Sequence, residues 1–482
     1  MNEKLRNVFD GMVVYKDLKR TALFSTLSLP SFMRDWLLEH FEVDESGVDF
    51  EELNAFIREM APSREDWNIL KSQLVAEGEP VKIFAKISVD VNIKKGEIAF
   101  NLPDYGLSSA HTLIDPSVWQ EIKNDLDGGR ETWGLLRLGY RFPDLEARPK
   151  VDGKIKLLGF KNFCPYSIDL EFFKDARGEF ETCEWIDLLL GAIDYNAKGY
   201  VDKEQKLTML TRLLPFVEKR LNLIELAPKG TGKSYLYGRV SRFGWLSNGG
   251  VMSRAKMFYD QNRRREGLVA GYDFVILDEV QTIRFSDVDE MRAALKGYLE
   301  QGTFTVGDYE GRADAGLVLS GNVPMDAMET DGYGNMFETL PTVFHESALI
   351  DRFHGLIRGW NVPRMHDDLK ISGWALNSEY FTSILHELRD DVTYRAIVDE
   401  LIVVPERADT RDVEAVKRVA TAYLKLLFPH VRTPGEITRY DFKTYCLNRA
   451  VAMRDLIKRQ LAILDPKEFG GKDLPKFEIR EI

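Results

Sequence analysis

The segment LNLIELAPKGTGKSYLY (221–237) runs an apolar stretch directly into a glycine-bearing loop and then into a helix-forming stretch. A buried strand that ends in a tight loop and feeds a helix is the opening unit of a parallel sheet covered by helices, so this segment constrains the fold more than any other. Ala227 to Ser234 follow the phosphate-loop pattern G-x-x-x-x-G-K-[ST], with Ala227 in place of the first glycine. Gly230 and Gly232 let backbone N–H groups turn towards phosphates, and the following helix N-terminus adds favourable partial charge. The expectation is an ATP-binding stretch made of Pro228, Lys229, Gly230, Thr231, Gly232, Lys233, Ser234 and Tyr235. In it Lys233 meets the β- and γ-phosphates and the Ser234 hydroxyl ligates Mg2+. The alternative is a plain surface turn.

A second apolar run, Phe274 to Leu277, stops abruptly at Asp278 and Glu279. Acids at the carboxyl end of a buried parallel strand lie in the crevice where open α/β sheets bind ligands. Asp278 is therefore a candidate metal ligand, and Glu279 a candidate to orient or deprotonate an attacking water. Taken alone, such a pair is an ordinary loop start; downstream of a phosphate loop it is the expected partner.

The repeated alternation of strand and helix continues after residue 203, with candidate strands at 221–226, 243–247, 273–278, 315–321 and 354–360. The predicted fold is a multidomain α/β protein whose parallel sheet carries helices on both faces, an arrangement that resembles the AAA+ ATPases. In that superfamily the strand beside the acidic one ends in a polar residue that orients the water. Asn322 fits this role, with a turn before Pro324 as the alternative. Arg352, in LIDRF just before the last sheet strand, looks like the arginine finger given to a neighbouring subunit, against a local salt bridge. Arg454 is the candidate for a second sensor on a helical lid, with Arg449 as its rival and simple snorkelling as the alternative. The stretch TFTVGDYEG (303–311), after the apolar stripe Val288, Met291, Leu295, Tyr298 and Leu299, reads as a β-hairpin. It resembles the presensor hairpin of the AAA+ branch that includes the MCM helicases, although its tip offers Asp308, Tyr309 and Glu310 and no lysine.

Upstream, residues 1–48 read as helical and 49–200 as a β-rich domain with helical flanks. Its β-like runs are VKIFAKISVDVNI, EIAFNLP, WGLLRLGYRF and KIKLLGFKNF. EWIDLLLGAIDY (184–195) reads as a helix. The ATPase core is expected over 201–365, and a helical lid with a tail over 366–482. No apolar run approaches the roughly 20 residues that span a bilayer, so a cytoplasmic protein with no membrane partner is expected. The three cysteines are scattered and the seven histidines form no metal-binding cluster. A net charge of −12 excludes a surface that is basic all round. It leaves room for a locally basic channel, because the potential is screened beyond about 8–10 Å.

With these landmarks in place, nearly the whole chain resembles the BrxL family, Lon-related AAA+ proteins of BREX phage-defence systems. The stretches that carry the likeness are NEKLRNVFDGMVVYKDL, FETCEWIDLLLGAIDYN, LNLIELAPKGTGKSYLY and RDLIKRQLAILDPKEF. The resemblance implies an ATPase using ATP and Mg2+, built as a homo-oligomeric ring, hexameric or similar, single or stacked. It also implies binding to duplex DNA, with the β-rich domain as a further DNA contact, and association with other BREX components. BrxL-like proteins usually continue into a Lon-like protease domain; nothing after residue 465 offers a Ser–Lys pair, so no protease activity is expected. The competing expectation is a protein-remodelling ATPase that acts on polypeptide.

Overall fold

The computed structural model describes residues 2–17, 29–44, 49–92, 96–126, 131–163, 167–262, 264–323, 328–330 and 333–480. Cys164 and Pro324 lie outside them. The chain divides into two compact units, Phe32–Ser167, and Met1–Ser31 together with Ile168–Ile482.

The region read as helical up to residue 48 is only partly so. Helices Asn2–Val8 and Ser31–His40 flank a strand, β1 (Val13–Asp17). Its alternation of half-buried and buried residues is a strand period, which the surrounding helix-like spacing obscures.

The unit Phe32–Ser167 is built on a closed five-stranded barrel. Its strands are β2 (Val81–Asn92), β3 (Glu97–Asn101), β4 (Thr112–Ile114), β5 (Thr132–Arg141) and β6 (Lys154–Lys161), in the order β2-β3-β4-β6-β5. All four runs read from the sequence are strands; β4, three residues long, carries too little pattern to be read. Closure leaves no free edge. The interior is filled by Ile83, Ile87, Phe100, Leu136, Leu138 and Leu157, against which Trp67 packs.

The second unit holds a five-stranded parallel sheet. Its strands are β7 (Leu223–Ala227), β8 (Gly244–Met252), β11 (Phe274–Phe285), β14 (Gly316–Asn322) and β15 (Gly355–Arg358). Between them lie two short antiparallel hairpins, β9 (Tyr259–Asp260) with β10 (Arg265–Glu266), and β12 (Thr303–Val306) with β13 (Tyr309–Arg312). The sheet order is β15-β7-β14-β11-β8. Each of the five apolar runs read from the sequence contributes one strand. β7 is buried along its whole length, as expected of a strand covered on both faces. The hairpin read at 303–311 is β12–β13, and Tyr309 in it stacks on Tyr259 of β9 with ring centroids 3.7 Å apart.

Beyond the sheet, residues 366–465 are mostly helical, with two strands among them, Ser372–Leu376 and the two-residue Ile402–Val403. β16 (Ser372–Leu376) pairs antiparallel with β1, Val13 opposite Leu376 and Asp17 opposite Ser372. The last long helix, Asn448–Leu464, is preceded by a π-helical segment, Phe442–Leu447. No helix among the described residues is long and apolar enough to cross a membrane.

Candidate active site

Parallel pairing puts the carboxyl ends of β7, β14 and β11 side by side. Asn322 stands opposite Ala227, and Leu277, the residue before Asp278, stands opposite Leu319. Three chain segments far apart in sequence therefore open onto one edge.

The loop after β7 turns through two glycines with positive φ, 80° at Gly230 and 81° at Gly232. Gly232 is also sterically required, since a Cβ there would lie 2.3 Å from the Tyr195 hydroxyl oxygen. That hydroxyl donates to the Gly232 carbonyl at 3.4 Å, and the Met365 N–H donates to the Gly230 carbonyl at 2.8 Å. Burial raises the Tyr195 pKa, so its phenol stays a donor. Pro228 and Ala227 present carbonyls to Lys233, whose Nζ lies 3.3 Å and 3.4 Å from them. Lys229 is exposed and Thr231 buried. Lys233 opens the helix Lys233–Arg239 and is largely buried. Burial lowers its pKa below the usual lysine value, partly opposed by the carboxylates of Glu225, Asp278 and Glu279. The Tyr235 hydroxyl is taken up by Asp194, donating to its Oδ2 at 2.7 Å, while Lys16 Nζ holds Asp194 Oδ1 at 3.0 Å.

Ser234 Oγ donates to Asp278 Oδ2 at 2.5 Å. The other oxygen of Asp278 accepts from Ser320 Oγ at 2.8 Å and from the Glu279 N–H at 3.0 Å. Ser320 is fully buried one strand away; it was missed in the sequence because an apolar run with one serine reads as an ordinary core strand. Glu279 is exposed and has φ 47°, a left-handed conformation uncommon in non-glycine residues. There β11 loses its register with β8, between Asp278 and Ile283, which turns Glu279 out of the strand line. Asn322 ends β14, and its carbonyl accepts from Gln281 Nε2 at 2.9 Å.

A hydroxyl and one carboxylate are hard oxygen donors, the kind Mg2+ takes when phosphates complete its shell. Among the described residues there is no group of three or more His, Cys, Asp or Glu that would hold a metal on its own. This donor set suits a metal that arrives with a nucleotide.

Two of the candidates lie elsewhere. Arg352 precedes β15 and so stands at the amino end of the sheet, where its Nε pairs with Glu300 at 2.7 Å. The same side chain donates to the Ala348 carbonyl and borders a cavity of about 490 Å³ shared with Arg411 and Glu414. Arg454 is not brought to the Ala227–Ser234 loop. Its guanidinium is buried and held by Asp412 at 2.8 Å, Asp351 at 2.6 Å and the carbonyls of Asp351 and Phe353. The rival Arg449 donates to Glu204 at 2.6 Å beside a cavity of about 320 Å³ that includes Arg358, Asn361 and Tyr423.

Residues 155–474 match the family described as Lon-like protease BrxL-like, ATPase domain, which puts the chain in the class of α/β proteins that carry an ATPase domain. Residues 7–140 match the BREX system Lon protease-like protein BrxL N-terminal family. The chain belongs to the BrxL family. It is 29% identical over 468 residues to the Lon-like protease BrxL of Escherichia coli O9:H4 (strain HS), covering 96% of this chain and 65% of that protein. To the Lon-like protease BrxL of Bacillus cereus (strain H3081.97) it is 27% identical over 478 residues, covering 98% of this chain and 68% of the relative. The chain thus spans about two thirds of the length of these relatives.

Proposed function

We propose that this chain is an AAA+ ATPase that hydrolyses ATP at the Lys233–Asp278 edge, assembles as a homo-oligomeric ring and binds or encircles duplex DNA in BREX-type phage defence. The observation that carries the ATPase part is the contact of Ser234 with Asp278 beneath a loop whose glycines and lysine suit phosphates. In this reading Lys233 and the loop N–H groups bind the β- and γ-phosphates, and Ser234 and Asp278 hold magnesium, Asp278 through water. The metal supplies charge neutralisation on the phosphate oxygens. Glu279 orients and deprotonates the attacking water, and Asn322 helps to position it. The sheet order supports the same reading, because β14 stands between the loop strand and the acid strand and delivers Asn322 between them.

Arg352 serves a neighbouring subunit in this proposal. It precedes β15, whose opposite end neighbours the end of the loop strand, so it is set back from its own nucleotide by the length of that strand, about 13 Å at roughly 3.3 Å per residue. Residues 366–482 act as the lid. DNA is the favoured partner because the matched family is one of BREX systems and because β12–β13, which precedes the strand ending in Asn322, resembles a presensor hairpin. The name of the relatives, Lon-like protease, favours instead a polypeptide substrate for an unfoldase-like ATPase. ATP turnover measured with duplex DNA or with an unfolded polypeptide separates the two. Stimulation by DNA, with binding that weakens steeply as salt rises, is expected. Stimulation by polypeptide alone would replace the DNA reading.

A further inference from the structure

Arg212 follows the helix Lys203–Thr211 and is fully buried. Its Nη1 donates to the Thr231 carbonyl at 2.7 Å and its Nη2 to Thr231 Oγ1 at 3.0 Å. Nε and Nη2 also donate to Glu225 Oε1 on β7, at 2.9 Å and 2.6 Å. Glu225, equally buried, accepts on its other oxygen from the Tyr237 hydroxyl at 3.1 Å.

A buried ion pair is a poor way to stabilise a fold, because desolvation offsets most of the attraction and apolar side chains of similar volume do as well or better. What an arginine adds is a planar fork that can grip two acceptors in fixed directions. Here the fork spans the strand that enters the phosphate loop and the middle of the loop itself. Thr231 sits between Gly230 and Gly232, the two most permissive backbone positions of the loop, so without an anchor the Thr231–Gly232 peptide is free to rotate. In a planar trans peptide the carbonyl and the next N–H point in opposite directions. Pinning the Thr231 carbonyl inward on Arg212 therefore turns the Gly232 N–H outward, towards a phosphate.

We infer that Arg212 is a positioning residue of the phosphate loop, with Glu225 and Tyr237 holding its guanidinium in place. This rests on the nucleotide reading above.

Removing Arg212 alone leaves Glu225 buried without its partner and can prevent folding. The variant Arg212→Leu/Glu225→Leu/Tyr237→Phe removes the whole polar group together. Its thermal melt and its affinity for a fluorescent ATP analogue and for ADP are measured beside the wild type, along with KM and kcat. The expectation is a folded protein whose ATP and ADP affinities both fall by about tenfold or more, the loss of one charge-assisted hydrogen bond, with KM moving more than kcat. A folded triple variant with wild-type affinities overturns the inference. Arg212→Lys keeps a charge for Glu225 but lacks the fork; intermediate affinity supports the positioning role, and wild-type affinity again overturns it. A wild type that binds no ATP overturns the nucleotide reading and this inference with it, whereas a wild type that binds ATP beside a folded triple variant of equal affinity overturns this inference alone.

Discussion

Ser234 and Asp278, separated by 44 positions in the chain, meet through a hydrogen bond of 2.5 Å at the carboxyl edge of the parallel sheet. Ser234 lies in the first turn of a helix and Asp278 ends the continuously buried run of a strand, so neither side chain has much freedom to be elsewhere. If both hold magnesium, Ser234→Ala lowers ATP turnover by roughly 10–100-fold, the scale of a lost bond to a charged group, and raises the Mg2+ concentration needed for half-maximal rate. A Mg2+ titration of turnover checks both.

Lys233 gives a pH test. Its pKa in the folded protein lies below the usual 10.5, chiefly through burial, whereas bound phosphates favour the charged form and raise it. ATP therefore binds the protonated lysine. Affinity is full below the lowered pKa and falls as pH rises through it, beginning at lower pH than an exposed lysine would show. For folding the sign is reversed: the cost of burying the charge is present below the lowered pKa and disappears as pH rises towards 10.5. ATP titrations between neutral and alkaline pH are expected to show the fall in wild type and not in Lys233→Arg.

Arg454 bears on the fold rather than the chemistry. With its guanidinium buried between Asp351 and Asp412, Arg454→Met removes the cation the two carboxylates share, leaving Arg411 on Asp351 and Lys458 on Asp412, and is expected to destabilise the chain by about 3 kcal/mol. Denaturant unfolding measures it. In whatever fraction remains folded, ATP affinity should equal that of the wild type.

How much of this was legible in the sequence follows from the range over which each signal acts. The glycine-bearing turn after the strand Leu223–Ala227, the acids after Leu277 and all five strands of the sheet were readable because strand period and turn chemistry are local. The pairing of Val13–Asp17 with Ser372–Leu376 was not, since nothing in either segment names its partner. Ser320, Arg212 and the burial of Arg454 were missed for the same reason: their significance lies in which residue faces them across the fold. Among the candidates, Arg352 and Arg454 differ in this respect. Both are arginines near apolar neighbours in sequence, yet one is partly exposed on Glu300 and the other is enclosed by two acids.

For Arg352, mixing subunits separates action across a boundary from a local ion pair. Arg352→Ala is expected to bind ATP and lose turnover, as is Glu279→Gln. Assemblies made from both variants contain some boundaries with an intact Glu279 facing an intact Arg352, so partial turnover returns. No recovery, with mixed assembly confirmed by two tags, assigns Arg352 to its pair with Glu300 alone.

The central claim is that the edge formed by Lys233, Ser234, Asp278 and Glu279 hydrolyses ATP, and Glu279→Gln tests it most directly. Phosphate release and ATP binding are measured on the same preparation of wild type and variant. The account predicts that the wild type turns over ATP with Mg2+, and that the variant binds ATP with unchanged affinity while its turnover falls by about 100-fold or more, since the metal ligands remain and only the water loses its carboxylate. Turnover in Glu279→Gln equal to that of the wild type would contradict it.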